Sequence, residues 1–113
     1  MNPVSDLTDP DADQPAADVL AGRAEAAAAF LKAMSHEGRL MILCHLTGGE
    51  KTVTELEALL GARQAAVSQQ LARLRDEGLV RARREGKAIH YAISDQRAER
   101  LIALVYEMFC REA

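Results

Sequence analysis

The chain has 113 residues, with 14 Lys and Arg against 17 Asp and Glu, and 49% of it is hydrophobic although only 4% is aromatic. This length fits one compact domain and excludes a second full one. With no Trp, two Tyr and two Phe, the core must come from aliphatic side chains, which apart from the β-branched ones favour helix. The composition therefore predicts a mostly helical protein.

The formal net charge of −3 is unevenly distributed along the chain. Residues 1–18 contain five Asp and no basic residue, whereas residues 63–87 carry a net charge of +4. DNA phosphates attract Lys and Arg, so a negative total would ordinarily argue against a nucleic-acid partner. Because of the basic segment, the negative total does not exclude a nucleic-acid partner.

The first residues differ in composition from the rest. Residues 1–15 combine three Pro with alternating Asp, so we expect a disordered acidic arm followed by a folded domain over residues 16–113. The first 18 residues are acidic where a secretory signal would be basic and then apolar. No apolar run approaches the roughly 20 residues of a membrane span. We therefore expect a cytoplasmic protein without a membrane partner, whose cysteines are normally reduced.

Two helices are predicted at the start of the domain. Apolar residues at helical spacing predict the first from about Ala16 to Ala33. Ser35 is the expected N-cap of the second, which Gly48 and Gly49 end after Thr47. The apolar face of this second helix includes Cys44.

Two further helices follow in close succession. Thr52 or Thr54 caps a short third helix that Gly61 closes. A fourth is predicted from Arg63 to about Glu77. Its buried stripe at i, i+4 and i+7 consists of Val67, Leu71 and Leu74.

After Gly78 the apolar period changes from helical to two residues. Val80 and Ala82, then Ile89, Tyr91 and Ile93, alternate with polar or small residues, which is typical of half-buried strands. Glu85 and Gly86 form a turn signal between the two runs. This pattern predicts a two-stranded hairpin with basic residues near its tip.

The chain closes with a helix capped by Ser94 or Asp95 and running to about Arg111. Its apolar positions are Leu101, Ile102, Leu104, Val105, Met108 and Phe109. This face is too broad for the surface of a monomer, which indicates that a partner buries it.

A short helix, a tight turn at Gly61 and Ala62, and a second helix with a polar outer face predict a helix-turn-helix, and the basic hairpin is then its wing. Side chains suited to base edges in the major groove are Gln64, Ser68 and Gln69. Candidates for phosphate or minor-groove contact are Arg63, Arg73, Arg83, Arg84 and Lys87. Either feature alone is usually solvated surface, but together and in this order they favour a DNA-binding protein.

Residues 61–71 and 74–80 read GARQAAVSQQL and LRDEGLV. They resemble the recognition segment of ArsR/SmtB-type winged-helix repressors, and the resemblance covers roughly residues 16–113. It implies a mainly α fold of five helices with a two-stranded β-hairpin wing, and a homodimer formed through the first and last helices. It also implies binding to imperfect palindromes of double-stranded operator DNA. Arg63 stands where many members have a Ser or Thr cap.

Many members of this family bind metals. The family's Cys-Val-Cys-Asp-Leu site aligns with residues 52–56, where Thr replaces both cysteines and is no substitute for a soft thiolate ligand. A second family site aligns with Asp95, Arg97, Met108 and Arg111, and only the Asp is a ligand. No C-x-x-C or His pair at i, i+4 completes a zinc site. We expect no metal and no cofactor.

Two cysteines remain, Cys44 in the second helix and Cys110 near the end of the last. On residue chemistry alone, each is as well explained as a small buried hydrophobe. Residues 34–46, residues 63–71 and the pair Phe109-Cys110 are similar, however, to the persulfide-sensing, SqrR/BigR-like branch of the family. That resemblance implies that reactive sulfur species join Cys44 to Cys110 within one protomer through a disulfide or polysulfide bridge. The oxidised dimer then releases DNA, which derepresses sulfide-detoxification genes.

Two alternatives stay open. One is an ArsR-type repressor that responds to a metal, arsenite or a general oxidant. The other is a small thiol oxidoreductase, which lacks support because neither a C-x-x-C nor a nucleotide motif accompanies the cysteines. The sequence thus predicts a repressor rather than an enzyme, and it leaves open which cysteine reacts first.

Overall fold

The computed structural model describes residues 10–110, with side chains described from residue 16 onward. The chain divides into two compact units, one ending at Lys32 and the other beginning at Ala33. Residues 1–9 of the predicted disordered arm and Arg111, the predicted end of the last helix, lie outside the described residues.

The first predicted helix is two helices in the structure, α1 (Pro10–Ala21) and α2 (Ala24–Met34). They are separated at Gly22, whose N–H donates to the carbonyl of Asp18, and the next N–H, that of Arg23, donates to Leu20 at 2.9 Å. Glycine is costly in a helix interior, so a break at this position is favoured. The expected start near Ala16 was also too late, because α1 begins at Pro10.

Four helices belong to the second unit, namely α3 (Glu37–Leu46), α4 (Val53–Leu60), α5 (Gln64–Asp76) and α6 (Gln96–Phe109). Helix α3 packs against each of the other three. It contributes Ile42, Leu43 and Leu46 to the core, all of them buried. The helix with Cys44 is therefore in direct contact with both the helix-turn-helix and the last helix.

The predicted hairpin is confirmed as β2 (Val80–Glu85) and β3 (Ala88–Ile93), and Gly86, with φ of 63°, begins its two-residue turn. A further strand, β1 (Lys51–Thr52), pairs antiparallel with β3, which gives the order β1-β3-β2. Two residues are too few to show a period, so the sequence did not predict β1. Residues 10–110 thus contain six helices and three strands, where five and two were expected.

The helix caps agree with the predictions at most positions. Thr47 ends α3, and Asp95 rather than Ser94 caps α6, where it accepts from the N–H of Arg97 at 2.8 Å. The Arg97 guanidinium holds the pKa of Asp95 below its usual range. Ser35 was the wrong cap for α3, because Nδ1 of His36 accepts from the N–H of Gly38 at 3.0 Å. A histidine ring can take the place of the usual hydroxyl or carboxylate.

Thr52→Ala is expected to lower the free energy of unfolding by about 1 kcal/mol. Thr52 Oγ1 accepts from the N–H of Glu55 at 3.2 Å, and the Glu55 carboxylate accepts from the Thr52 N–H at 2.8 Å, a reciprocal capping box. Urea denaturation measures the loss. Thr54→Ala is the matched control, because Thr54 is exposed and lies inside the helix. Equal effects of the two variants would contradict the assignment of Thr52 as the cap.

Candidate functional site

Helices α4 and α5 are joined by a tight turn. Gly61 ends α4 in the left-handed conformation, with φ of 63°, and its N–H donates to the carbonyl of Glu57 at 2.8 Å. Few residues other than glycine adopt this conformation at low cost. Helix α5 then begins at Gln64, and Arg63 provides no side-chain cap, as the sequence indicated.

Helix α5 presents one face to the core and the opposite face to solvent. Its predicted inward stripe, Val67, Leu71 and Leu74, is buried. The candidate base-reading residues are all exposed on the remaining surface: Gln64, Ser68 and Gln69. Arg63 and Ala65 are exposed beside them. Polar side chains at the N-terminal half of this helix are thus free to approach the edges of bases.

The next residue, Gln70, has a different role. Its Oε1 accepts from Nη1 of Arg39 at 3.0 Å, and Nε of Arg39 donates to the carbonyl of Ala33 at 2.6 Å. Arg39 on α3 therefore ties the end of α2 and the middle of α5 together. Sequence reasoning did not find this contact, because no local spacing signal links Arg39 to a residue so distant in the chain.

The predicted basic residues divide into two groups. Arg63, Arg84 and Lys87 are exposed, and their charged groups have no ion-pair partner among the side chains of residues 16–110. Arg73 lies 3.5 Å from the carboxylate of Glu77 and Arg83 lies 2.7 Å from that of Glu50. The structure thus leaves three of the five predicted cations available to a polyanion and pairs the other two with carboxylates.

Both cysteines line one cavity of about 310 Å³ between α3 and α6. Cys44 is half-buried, and Cys110 is exposed at the C-cap of α6. The other lining residues are Leu40, Met41, Ile102, Val105, Tyr106 and Phe109. We call this cavity the thiol groove. The explanation of each cysteine as a small buried hydrophobe does not fit the single chain, because Cys44 is half-buried and Cys110 is exposed.

Cys44 also lines a second cavity, of about 500 Å³, beside the thiol groove. Thr47 and Glu99 add polar atoms to its wall, and Ile102 and Tyr106 are shared with the groove. Cys44 thus lines both cavities along the contact of α3 with α6.

Helix α6 exposes much of its apolar surface. Leu104 is 49% exposed, Met108 59% and Phe109 76%, whereas Ile102 on the inner side is buried. An exposed apolar strip of this kind is typical of a protein–protein contact. Of the predicted apolar face, Leu104, Met108 and Phe109 are exposed in the single chain and Ile102 is buried, so burial of this face by a partner stays a prediction.

The residues aligned with the family's metal sites serve other purposes here. Thr52 and Asp95 are helix caps, and Arg97 is paired with Asp95 at 2.7 Å. Among residues 16–110, whose side chains the structure describes, no three His, Cys, Asp or Glu are grouped so as to hold a metal ion. No helix in that range is long and apolar enough to cross a membrane.

A short helix, a glycine turn, a second helix with an exposed polar face and a basic hairpin define a winged helix-turn-helix protein. Residues 36–82 match the family described as bacterial regulatory protein, arsR family. A biofilm growth-associated repressor from Agrobacterium fabrum is 48% identical over 88 residues, which are 78% of this chain and 75% of that protein. The chain belongs to the arsR family of DNA-binding transcriptional regulators and is not an enzyme.

Solved structures agree with this assignment. The transcriptional repressor BigR from Xylella fastidiosa superposes with a TM-score of 0.78 at 41% identity, covering 82% of this chain and 95% of that one. A homodimeric winged helix-turn-helix DNA-binding domain from Mycobacterium bovis superposes with a TM-score of 0.70 at 35% identity, covering 79% and 82%. The resemblance to the BigR-like branch is therefore confirmed, and the thiol oxidoreductase alternative is set aside.

Proposed function

We propose that this protein is a homodimeric repressor that releases operator DNA when reactive sulfur species join Cys44 to Cys110 within one protomer. The observation that carries the proposal is the thiol groove, because residues 66 positions apart in the chain line the same cavity. The BigR-like relatives are repressors, which supports the proposal that this protein represses transcription.

The bridge forms in two exchange steps. A cysteine thiolate attacks a sulfur of a polysulfide, the S–S bond in the polysulfide breaks, and a shortened polysulfide anion departs. A persulfide, or a longer chain of sulfur atoms, remains bound to the cysteine. The second cysteine thiolate attacks a sulfur atom of this cysteine-bound sulfur chain. The new S–S bond closes the bridge, and hydrosulfide or a shorter polysulfide anion is expelled. The two thiols lose two electrons and the polysulfide gains them. A direct disulfide requires Cα atoms roughly 4.4–6.8 Å apart, and additional sulfurs relax that limit.

The release of DNA is explained by what the two bridged helices, α3 and α6, contact. Helix α6 exposes the apolar strip proposed to form the dimer contact, and the homodimeric relative supports such an assembly. Helix α3 is linked to α5 through Arg39 and Gln70. A covalent link between α3 and α6 therefore affects both the proposed dimer contact of α6 and the position of α5, the proposed recognition helix. A differential strain of about 1.4 kcal/mol lowers operator affinity tenfold, and dimers need a fixed spacing of half-sites on a palindrome.

Mass spectrometry of the intact and digested protein after polysulfide treatment tests the bridge. The expected result is a crosslink between the peptides with Cys44 and Cys110 whose mass corresponds to two or more sulfurs. Treatment with glutathione disulfide, Zn(II), arsenite and peroxide provides the comparison. DNA release by one of these, with none by polysulfide, would assign the repressor to a different inducer.

We further propose that the exposed face of α5 contacts base edges and that Arg63, Arg84 and Lys87 contact phosphates. Arg73 is expected to make a weaker phosphate contact, because it is already paired with Glu77. Gln69→Ala is expected to cost about 1–3 kcal/mol of discrimination between the operator and a scrambled duplex. Arg84→Ala should weaken both duplexes alike and reduce the slope of log K against log salt by about 1. Anisotropy titrations at several salt concentrations measure both. Unchanged discrimination in Gln69→Ala would contradict the assignment of α5.

A further inference from the structure

One ion pair in the wing differs in geometry from the other contacts there. Arg83 Nη2 donates to Glu50 Oε1 at 2.7 Å and Arg83 Nε donates to Oε2 at 3.2 Å, a two-point contact. Bidentate contacts of this kind are stronger and more directional than single ones. The hydrogen bond from Arg83 holds the pKa of Glu50 below its usual range. Both side chains are part-exposed, so geometry rather than burial distinguishes the pair.

The two partners stand on either side of the middle strand. Arg83 is on β2, and Glu50 directly precedes β1. Strand β3 lies between β1 and β2, and its His90 is opposite both Arg83 and Thr52. The contact therefore spans the full width of the three-stranded sheet and reaches the segment that enters α4.

Arg83 and Arg84 lie on opposite faces of β2, although they are neighbours in the chain. Successive side chains in a strand point to opposite faces, so Arg83 shares its face with Glu85, and Arg84 faces the other way. Glu85 adds weaker contacts, at 3.5 Å to Arg83 and 3.6 Å to His90. Arg84 has no ion pair among the described residues. The two neighbouring arginines, both predicted to contact DNA, thus occupy different electrostatic surroundings.

We propose that Arg83 is a positioning residue for the wing and that Glu50 is its anchor. By this contact the hairpin is held against the start of α4, which fixes where Arg84 and Lys87 meet the duplex. The sequence-based role of Arg83 as a phosphate contact is replaced by this one. The inference rests on the proposed contact between wing and DNA.

Glu50→Gln distinguishes the two roles by the sign of its effect. If Glu50 were only a negative charge near DNA, its removal would tighten binding, because repulsion from phosphates is lost. If Glu50 anchors Arg83, the same substitution should weaken operator binding about three- to tenfold, a loss of about 1 kcal/mol. Glu85→Gln is the matched control, since it removes the same charge from the same face without breaking the two-point contact. It should leave affinity unchanged or tighten it.

Two further measurements complete the test. Arg83→Gln removes both the charge and the two-point contact. If Arg83 positions the wing, this substitution should weaken operator binding with an unchanged salt slope, whereas loss of a phosphate contact lowers that slope by about 1. Hydrogen exchange of the DNA-free protein should be faster in β1 and β2 of Glu50→Gln than in Glu85→Gln. This readout does not depend on DNA. Tighter binding by Glu50→Gln with unchanged exchange would overturn the proposal, while failure of Arg84→Ala to affect binding would instead overturn the wing contact.

Discussion

Leu71→Ala is expected to lower the free energy of unfolding by about 2–5 kcal/mol. Leu71 lies at the centre of the inward stripe of α5 and is fully buried. Truncation removes apolar contact and leaves a cavity that the neighbouring helices fill only in part. Small domains are stable by about 5–15 kcal/mol, so this single change removes a large share of the total. Urea denaturation at a fixed protein concentration, with the m-value compared between variants, measures it.

Leu59→Ala provides the control for this prediction. Leu59 lies on the adjoining helix α4 and is 50% exposed, so the same truncation removes much less buried surface. Its expected cost is below about 1 kcal/mol, as for most surface substitutions. If the two variants lost the same stability, α5 would not pack through Leu71, and the exposed face assigned to DNA would be wrong as well.

The orientation of α5 was predictable because it depends on a repeated local pattern. Three apolar residues at i, i+4 and i+7 fix which side faces the core, and this in turn fixes the exposure of Gln64, Ser68 and Gln69. The hairpin was predictable for the same reason, since alternation and a glycine turn are both short-range signals. The exposed polar surface of α5, which we propose contacts DNA, could thus be predicted from the sequence.

Features that depend on one residue or on distant partners were not predictable in this way. The break at Gly22 and the cap by His36 each depend on one residue in a sequence that otherwise continues a pattern. The contacts of Arg39 with Gln70 and of Arg83 with Glu50 join segments more than thirty residues apart. Only the packing of helices and the order of strands brings such side chains together.

The cysteines illustrate most directly the difference between what a local pattern predicts and what tertiary packing determines. Helical periodicity places Cys44 on α3 and Cys110 at the end of α6, but it does not say whether α3 and α6 meet. In the fold α3 packs against α6, and both cysteines line one cavity. Tertiary packing, and not a local sequence pattern, therefore brings the two cysteines to one cavity, and this placement supports the proposed bridge.

Cys44→Ser and Cys110→Ser are each expected to abolish the response to polysulfide while leaving operator binding in reducing buffer unchanged. Serine is close to cysteine in size, and neither position is fully buried, so the fold should tolerate both changes. The chain has two cysteines, so each variant retains a single thiol and cannot close a bridge within one protomer. Anisotropy titrations with labelled operator, before and after polysulfide, should show a loss of affinity of tenfold or more in the unsubstituted protein, or about 1.4 kcal/mol.

Mixed dimers of the two variants distinguish a bridge within a protomer from one between protomers. A dimer of one Cys44→Ser chain and one Cys110→Ser chain has a single Cys44 and a single Cys110, on different subunits. If the bridge closes within the thiol groove of one chain, this heterodimer should stay on DNA in polysulfide. A response equal to that of the unsubstituted protein would place the bridge across the dimer. Release of DNA by both single variants would show that sensing does not use this pair of cysteines.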